Sequence, residues 1–133
     1  MKSKQYELAK LEYDENTNIL VYRVKQDIVV DVYEISEMLK YVEEFMGPKR
    51  HYAIIDFGES LLSTSEARDR YAQSLYIQTY RIADAFLVRS LALCIVANFF
   101  IKVTRPKVKT KLFTDELLAV EWLKKQKDFA AVE

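Results

Sequence analysis

The sequence predicts an α/β fold, a largely parallel sheet with helical crossovers and one antiparallel hairpin at its start. Two observations carry this. After the hairpin, apolar strand-like runs and helical stripes alternate in the order strand, strand, helix, strand, helix, strand, helix, strand, helix. From Ala83 to Lys125, an apolar helix, an Arg105-Pro106 stop, a strand of alternating lysines and an amphipathic helix then follow without slack.

Taken in order, Tyr6 to Tyr13 reads as a strand of mixed pattern, bulged near Ala9. Ile19 to Val24 is apolar on both faces, as a central strand should be, and Asp14 to Asn18 turns between the two. Asp31 to Met46 places Val32, Ile35, Leu39, Val42 and Met46 on one helical stripe. Asp31 and Glu34 have the spacing of a capping box, and Gly47-Pro48 ends the helix. Tyr52 to Phe57 is a short apolar strand. A Ser/Thr-rich loop follows it, then a helix from about Ser65 to Tyr76 with Ala67, Tyr71 and Leu75 inward and Ser63 and Glu66 as a second capping box. Ile82 to Val88 suits a buried strand, Ser90 to Val103 a helix, Thr110 to Phe113 a strand, and Thr114 to Lys127 the closing helix.

Composition narrows the function classes. A chain of 133 residues, half of them hydrophobic, with two glycines, two prolines and no linker-like run, is expected to fold as one domain over residues 1–133. Twenty basic residues balance twenty acidic ones, which removes the long-range field on which nucleic-acid binding relies, so no nucleic-acid partner is expected. The single cysteine, Cys94, lies in an apolar run and has no intramolecular partner, which fits a reducing cytoplasm and an inert, buried thiol. Met1 to Lys10 has no apolar core and is not expected to act as a secretory signal. Arg89, Ser90 and Asn98 interrupt the stretch from Ala85 to Ile101, leaving it short of the ~20 apolar residues of a transmembrane segment.

A helix carrying Leu91, Leu93, Ile95, Val96, Phe99, Phe100 and Ile101 is apolar on nearly every side and must be covered on most of its circumference. Phe99 and Phe100 are adjacent and cannot both face inward, so one of them is expected to meet a pocket or a second subunit, and a homodimer is the expectation. Tyr71, Tyr76, Tyr80, Phe86, Phe99 and Phe100 form a heavy aromatic load. They read either as core or as the lining of a pocket for an apolar small molecule.

In open α/β sheets, ligands collect at the carboxyl ends of the strands. Those ends carry Lys25 to Asp27, Asp56 to Glu59, Val88 to Ser90, and Thr114 with Asp115. Asp56, beside Gly58 and within reach of Arg89, reads as an anion-linked or partner-recognition residue or as half of a structural ion pair. Ser60, Ser63, Thr64 and Ser65 form a hydroxyl-rich loop. A phosphate on it would meet the free N–H groups of the following helix, and the plainer reading is capping by Ser63. Lys102, Arg105, Lys107, Lys109 and Lys111 read as a patch for an anionic lipid or a nucleic acid, and Arg89 and Arg105 as contacts for an anion. The same cations also suit a helix C-terminus and the protection of an edge strand.

No phosphate-binding glycine motif occurs. The lone His51 and lone Cys94 are far apart and argue against zinc, and no cofactor is implied. The evident reactive groups at the strand ends are Asp56, Glu59, Arg89 and Asp115, and no enzymatic activity is expected from them.

The stretches YAIIDF, ANFFIKVTRPKVKTKLFTD and AVEWL, in this order of elements, resemble the SpoIIAA-like STAS/Sec14 superfamily of small bacterial domains. The resemblance covers most of the chain and is most specific at Ala97 to Asp115 and Ala119 to Leu123. It implies a mixed five-stranded sheet flanked by about four helices and no enzymatic chemistry. The role it implies is a regulatory module with a protein partner yet to be identified, or a Sec14-like carrier of a lipid or other apolar molecule. Anti-sigma-factor antagonists of this superfamily carry a phosphorylated serine soon after the aspartate that Asp56 matches. Here Phe57-Gly58-Glu59 follow instead, and Ser60 and Ser63 are the next hydroxyl-bearing serines.

Overall fold

One sheet with two unequally covered faces organises the chain. The computed structural model describes residues 1–62, 64–104 and 106–129, with the side chains of residues 61, 62, 100, 103 and 104 excepted. The elements run β1 (Lys2–Gln5), β2 (Ala9–Asp14), β3 (Ile19–Val24), β4 (Val29–Val30), α1 (Val32–Met46), β5 (His51–Gly58), β6 (Leu61–Leu62), α2 (Ser65–Ala72), α3 (Leu75–Tyr80), β7 (Arg81–Val88), α4 (Leu91–Thr104), β8 (Lys109–Phe113) and α5 (Glu116–Lys124). The main sheet has the order β1-β2-β3-β5-β7-β8, and β4 and β6 form a small second one. The β1-β2-β3 pairs are antiparallel and the β3-β5-β7-β8 pairs parallel, which is the predicted mixed α/β architecture.

The main sheet has one strand more than expected. The irregularity anticipated near Ala9 is a turn, closed by the Tyr6 N–H donating to the Ala9 carbonyl at 2.8 Å, and it separates β1 from β2. Both sheet edges carry lysines, Lys2 and Lys4 on β1 and Lys109 and Lys111 on β8, and a lysine-bearing edge resists pairing with another chain.

Helix α1 has the predicted capping box: the Asp31 carboxylate accepts from the Glu34 backbone N–H, and Asp31 N–H donates to the Glu34 carboxylate at 2.9 Å; Val32 N–H also donates to Asp31 at 2.7 Å. The helix expected from Ser65 to Tyr76 is instead two. Thr64, rather than Ser63, caps α2, accepting from Ala67 N–H at 3.1 Å, and Ser63 itself lies outside the described residues. At Gln73 the chain leaves the helix, and Ser74 caps α3 by accepting from Ile77 N–H at 3.3 Å. Leu75, expected inward, therefore starts a new helix and is 78% exposed, while Ile77 packs in the core.

On one face of the sheet, Leu11, Leu20, Tyr22, Ile55, Phe57 and Phe86 pack against α1, α2, α3 and α4. On the other, Ile19, Ile54, Ala83, Ala85 and Leu87 meet Ala119 and Leu123 of α5 alone. Two alanines in β7 let the backbone of this short helix approach closely, as small residues do wherever elements must pack near one another.

A polar cluster sits where β5 and β7 begin. His51, Arg81 and Asp84 are buried together with Tyr71. Arg81 Nε donates to His51 Nε2 at 3.2 Å, and Arg81 Nη1 donates to the Tyr71 hydroxyl at 2.9 Å and to Asp84. The Tyr71 hydroxyl in turn donates to Asp84 at 2.6 Å. Because His51 Nε2 accepts, Nδ1 carries the proton and gives it to the Lys49 carbonyl at 2.8 Å, so the ring is neutral. Burial, reinforced by the Arg81 charge, pushes the His51 imidazole down to about 3.

Above about pH 6.5 an unfolded His51 is also neutral, and stability from this site is complete. As pH falls from about 6.5 toward 3, the unfolded chain takes up a proton that the folded chain refuses. Unfolding free energy is therefore expected to decline by up to about 1.4 kcal/mol per pH unit between roughly pH 6 and 5. Urea denaturation across that window, compared with His51→Gln, tests this: the variant's profile should be flatter, and an equally steep decline would refute the assignment.

Candidate functional site

Side-chain alternation along β3 and β5 sends Val21, Arg23, Ile54 and Asp56 toward the α5 face. The parallel register sets Arg23 opposite Asp56 at the carboxyl ends of both strands. Arg23 is the centre of the resulting network. Its Nε donates to Glu12 at 2.7 Å and its Nη1 to Asp56 at 2.9 Å, while Nη1 and Nη2 grip both oxygens of Glu116 at 2.8 and 3.2 Å. Glu116 is in the first turn of α5, whose N-cap Asp115 accepts from Leu117 N–H at 2.8 Å. The Arg23 guanidinium holds the Glu116 carboxyl below its ordinary range, and the hydrogen bonds to Glu116 and Glu12 raise Arg23 despite its partial burial.

Asp56 connects this network to α4. Its Oδ2 also accepts from Arg89 Nη2 at 3.3 Å, and its Oδ1 from Gly58 N–H at 3.0 Å, so both oxygens are engaged. Arg89 N–H donates to the Gly58 carbonyl at 3.0 Å, and Ser90 caps α4 by accepting from Leu93 N–H at 3.2 Å. The Arg89 side chain is 55% exposed, whereas Asp56 is nearly covered. Gly58 is in the left-handed region at φ +57°, and a Cβ there would sit 2.6 Å from the Gln26 amide. That amide holds the loop, donating to the Val24 carbonyl at 2.9 Å and accepting from Glu59 N–H at 2.9 Å.

Of the residues singled out from sequence, the structure brings together Asp56 and Arg89. Ser60 is close by but buried, and its hydroxyl donates to the Lys25 carbonyl at 3.1 Å, so a kinase would reach it only after the loop opens. Ser63, Arg105 and the Phe100 side chain lie outside the described residues. Tyr71 and Phe86 are core residues in edge contact, their ring centroids 6.1 Å apart, and Phe57 meets Phe86 edge-on at 5.4 Å. Phe99 is 59% exposed. Cys94, expected to be buried, is half-buried at the edge of the core. Arg23, Glu12, Glu116 and Gln26 were not singled out from sequence. The available signal was a charged residue inside the apolar run of β3.

Beyond the network, α4 buries Leu93 and Ala97 and exposes Leu91, Ile95 and Phe99. No helix among the described residues is long and apolar enough to cross a membrane. Among the same residues, no group of three His, Cys, Asp or Glu side chains could hold a metal ion.

Replacing Arg23 with Met removes the one cation shared by Glu12, Asp56 and Glu116. Because the side chain is one-third exposed, solvent screens part of the repulsion, and the expected loss is about 1–2 kcal/mol. Arg89→Ala, at the exposed end of the network, should change stability by less than about 0.5 kcal/mol. Urea titration of both variants would overturn this ordering if Arg89→Ala proved the more damaging.

Comparison with known proteins supports this fold. An uncharacterised protein of the DUF3478 family with a SpoIIAA-like fold, from Shewanella loihica PV-4, aligns over 92% of this chain and 98% of that one, with 21% identity and a TM-score of 0.58. The fold is thus SpoIIAA-like, as the sequence resemblance implied. A protein of unknown function from Arthrobacter sp. FB24 aligns over 85% of this chain and 90% of that one at 22% identity, with a TM-score of 0.31, too low to bear on the fold. No protein of curated function matches the chain. Residues 13–127 match the family described as a domain of unknown function, DUF7793, and the chain belongs to that family.

Proposed function

We propose that this chain is a non-enzymatic protein-interaction module of the STAS type that docks through α4, with Arg89 and Asp56 flanking the N-terminal end of the docking face. One observation carries the reading. Leu91, Ile95 and Phe99 recur every fourth residue on α4 and are 83%, 72% and 59% exposed, so three large apolar side chains form one stripe facing water.

Magnitudes require a partner with an apolar face of its own, which a second copy of the chain supplies. Burying three such side chains contributes at most about 5–9 kcal/mol, which is within the roughly 4–15 kcal/mol that association costs. A two-fold axis beside α4 would pair the stripe with itself and double the contribution to about 10–18 kcal/mol, enough for a stable dimer. A regulatory partner would compete for the same face. The carrier reading has less support. Tyr71 and Phe86 pack on other core groups, and the apolar cavity between Phe57, Val88, Leu93 and Ala97 holds about 10 Å³, room for about one water.

Sedimentation equilibrium tests the reading. The wild-type chain is expected at twice its 15.6 kDa mass, and Ile95→Asp and Phe99→Asp at the monomer mass with unchanged circular dichroism. A wild-type monomer at about 100 μM would end the self-association proposal. Variants that remain dimeric would move the interface away from α4.

A further inference from the structure

The end of the sheet opposite the Arg23 network has a different character. A cavity of about 500 Å³ opens where β7 and β8 begin, and its wall includes Arg50, Arg81, Lys107, Lys109, Lys125 and Lys127. These cations come from the segments preceding β5 and β8, from the strand starts and from the segment after α5. Asp128 holds Arg50 through both carboxylate oxygens at 2.7 to 2.9 Å, and Asp84 neutralises Arg81. The four lysines make no ion pair among the described residues. In a chain of zero net charge, a surplus of four positive charges in one concavity leaves the remainder of the molecule with a matching negative excess.

The cavity wall also contains an unpaired donor. The Arg81 side chain is fully buried, yet its Nη2 has no hydrogen-bond partner among the described residues. Nearly all buried donors in folded proteins are paired, and guanidinium forks are suited to planar, multiply charged oxyanions. Edge protection accounts for Lys109 on β8, but not for Lys107, Lys125 and Lys127 converging on the same hollow.

We propose that this cavity binds a free, phosphate-bearing small molecule with at least two negative charges. Ile82, Val108 and Phe129 add apolar wall, and Phe129 is 78% exposed, offering a flat face to the body of such a ligand. The volume falls in the usual range of about 300–1,000 Å³ for small-molecule sites. A long nucleic acid is disfavoured because a strand running out of the hollow would meet the negative excess elsewhere.

Isothermal titration at about 50 mM salt, with inorganic phosphate, pyrophosphate and ATP as probes, tests this. Affinity should rise from phosphate to pyrophosphate, with pyrophosphate or ATP binding below about 100 μM. The double variant Lys107→Glu/Lys125→Glu should bind at least tenfold more weakly, and Lys40→Glu, on α1 and remote from the cavity, should bind as wild type. The proposal fails if neither pyrophosphate nor ATP binds at about 1 mM, or if the double variant and Lys40→Glu weaken equally. Binding to phosphatidylcholine vesicles containing phosphatidylinositol 4-phosphate, without binding of the soluble probes, would overturn the free ligand and assign the cavity to a lipid headgroup. Displacement of ATP by a single-stranded oligonucleotide, undiminished in the double variant, would show a general charged surface in place of a pocket.

Discussion

The buried pairing of Arg81 with Asp84 is the interaction on which the architecture turns. A guanidinium in a protein interior must be matched by charge and hydrogen bonds, and here the matching groups come from different elements. Asp84 is in the same strand, Tyr71 belongs to α2, and His51 begins β5. The connection from β5 through α2 and α3 to β7 is therefore fastened at one end of the sheet by this cluster, which pairs Arg81 Nε and Nη1 and leaves Nη2 without a partner among the described residues. Arg23 acts similarly at the other end, joining β2, β3, β5 and α5, but in partial contact with solvent. Two arginines thus tie the two ends of a mixed sheet, one by desolvated pairing and one by a screened, many-partnered network.

The legibility of each element followed from whether its determinants were local. Helix α1 was legible because its capping box and its Gly47-Pro48 stop are contiguous in sequence with a long apolar stripe. The bounds of β3 were readable because both of its faces are apolar over most of its length. By contrast, β1 is exposed at every residue, and its sequence KSKQ has no alternation to read. The division of α2 from α3 was missed because Leu75 continues the spacing of Ala67 and Tyr71, while Ser74, whose hydroxyl caps the second helix, looked like an ordinary helical residue.

The candidate sites divide along the same line. Asp56 and Arg89 fall at the ends of neighbouring parallel strands, so the alternation of strands and helices was enough to place them together. The central part of Arg23 depends on the register that sets it opposite Asp56, and on the docking of α5 that delivers Glu116. Neither is encoded in a short motif. Lys107 and Lys109 were visible as a basic run. That they share a hollow with Lys125 and Lys127 depends on α5 returning along β8 to the end where that strand began.

Helix α4 gives the two ends of the sheet a physical connection. Ser90, its cap, separates its first residue from Arg89, and Lys107 of the cavity wall comes three residues after its last. Its 14 residues span about 21 Å and include neither glycine nor proline, the usual sources of a kink. The helix that displays Leu91, Ile95 and Phe99 to a partner therefore lies in sequence between Arg89 and the cavity's Lys107. Proximity along one helix is not in itself coupling. Two sites communicate only when each ligand distinguishes two positions of the element between them, and the effect is then reciprocal. In this fold the element that would have to take two positions is α4. Among its described side chains, Leu93 and Ala97 are the two buried ones that hold it to the core.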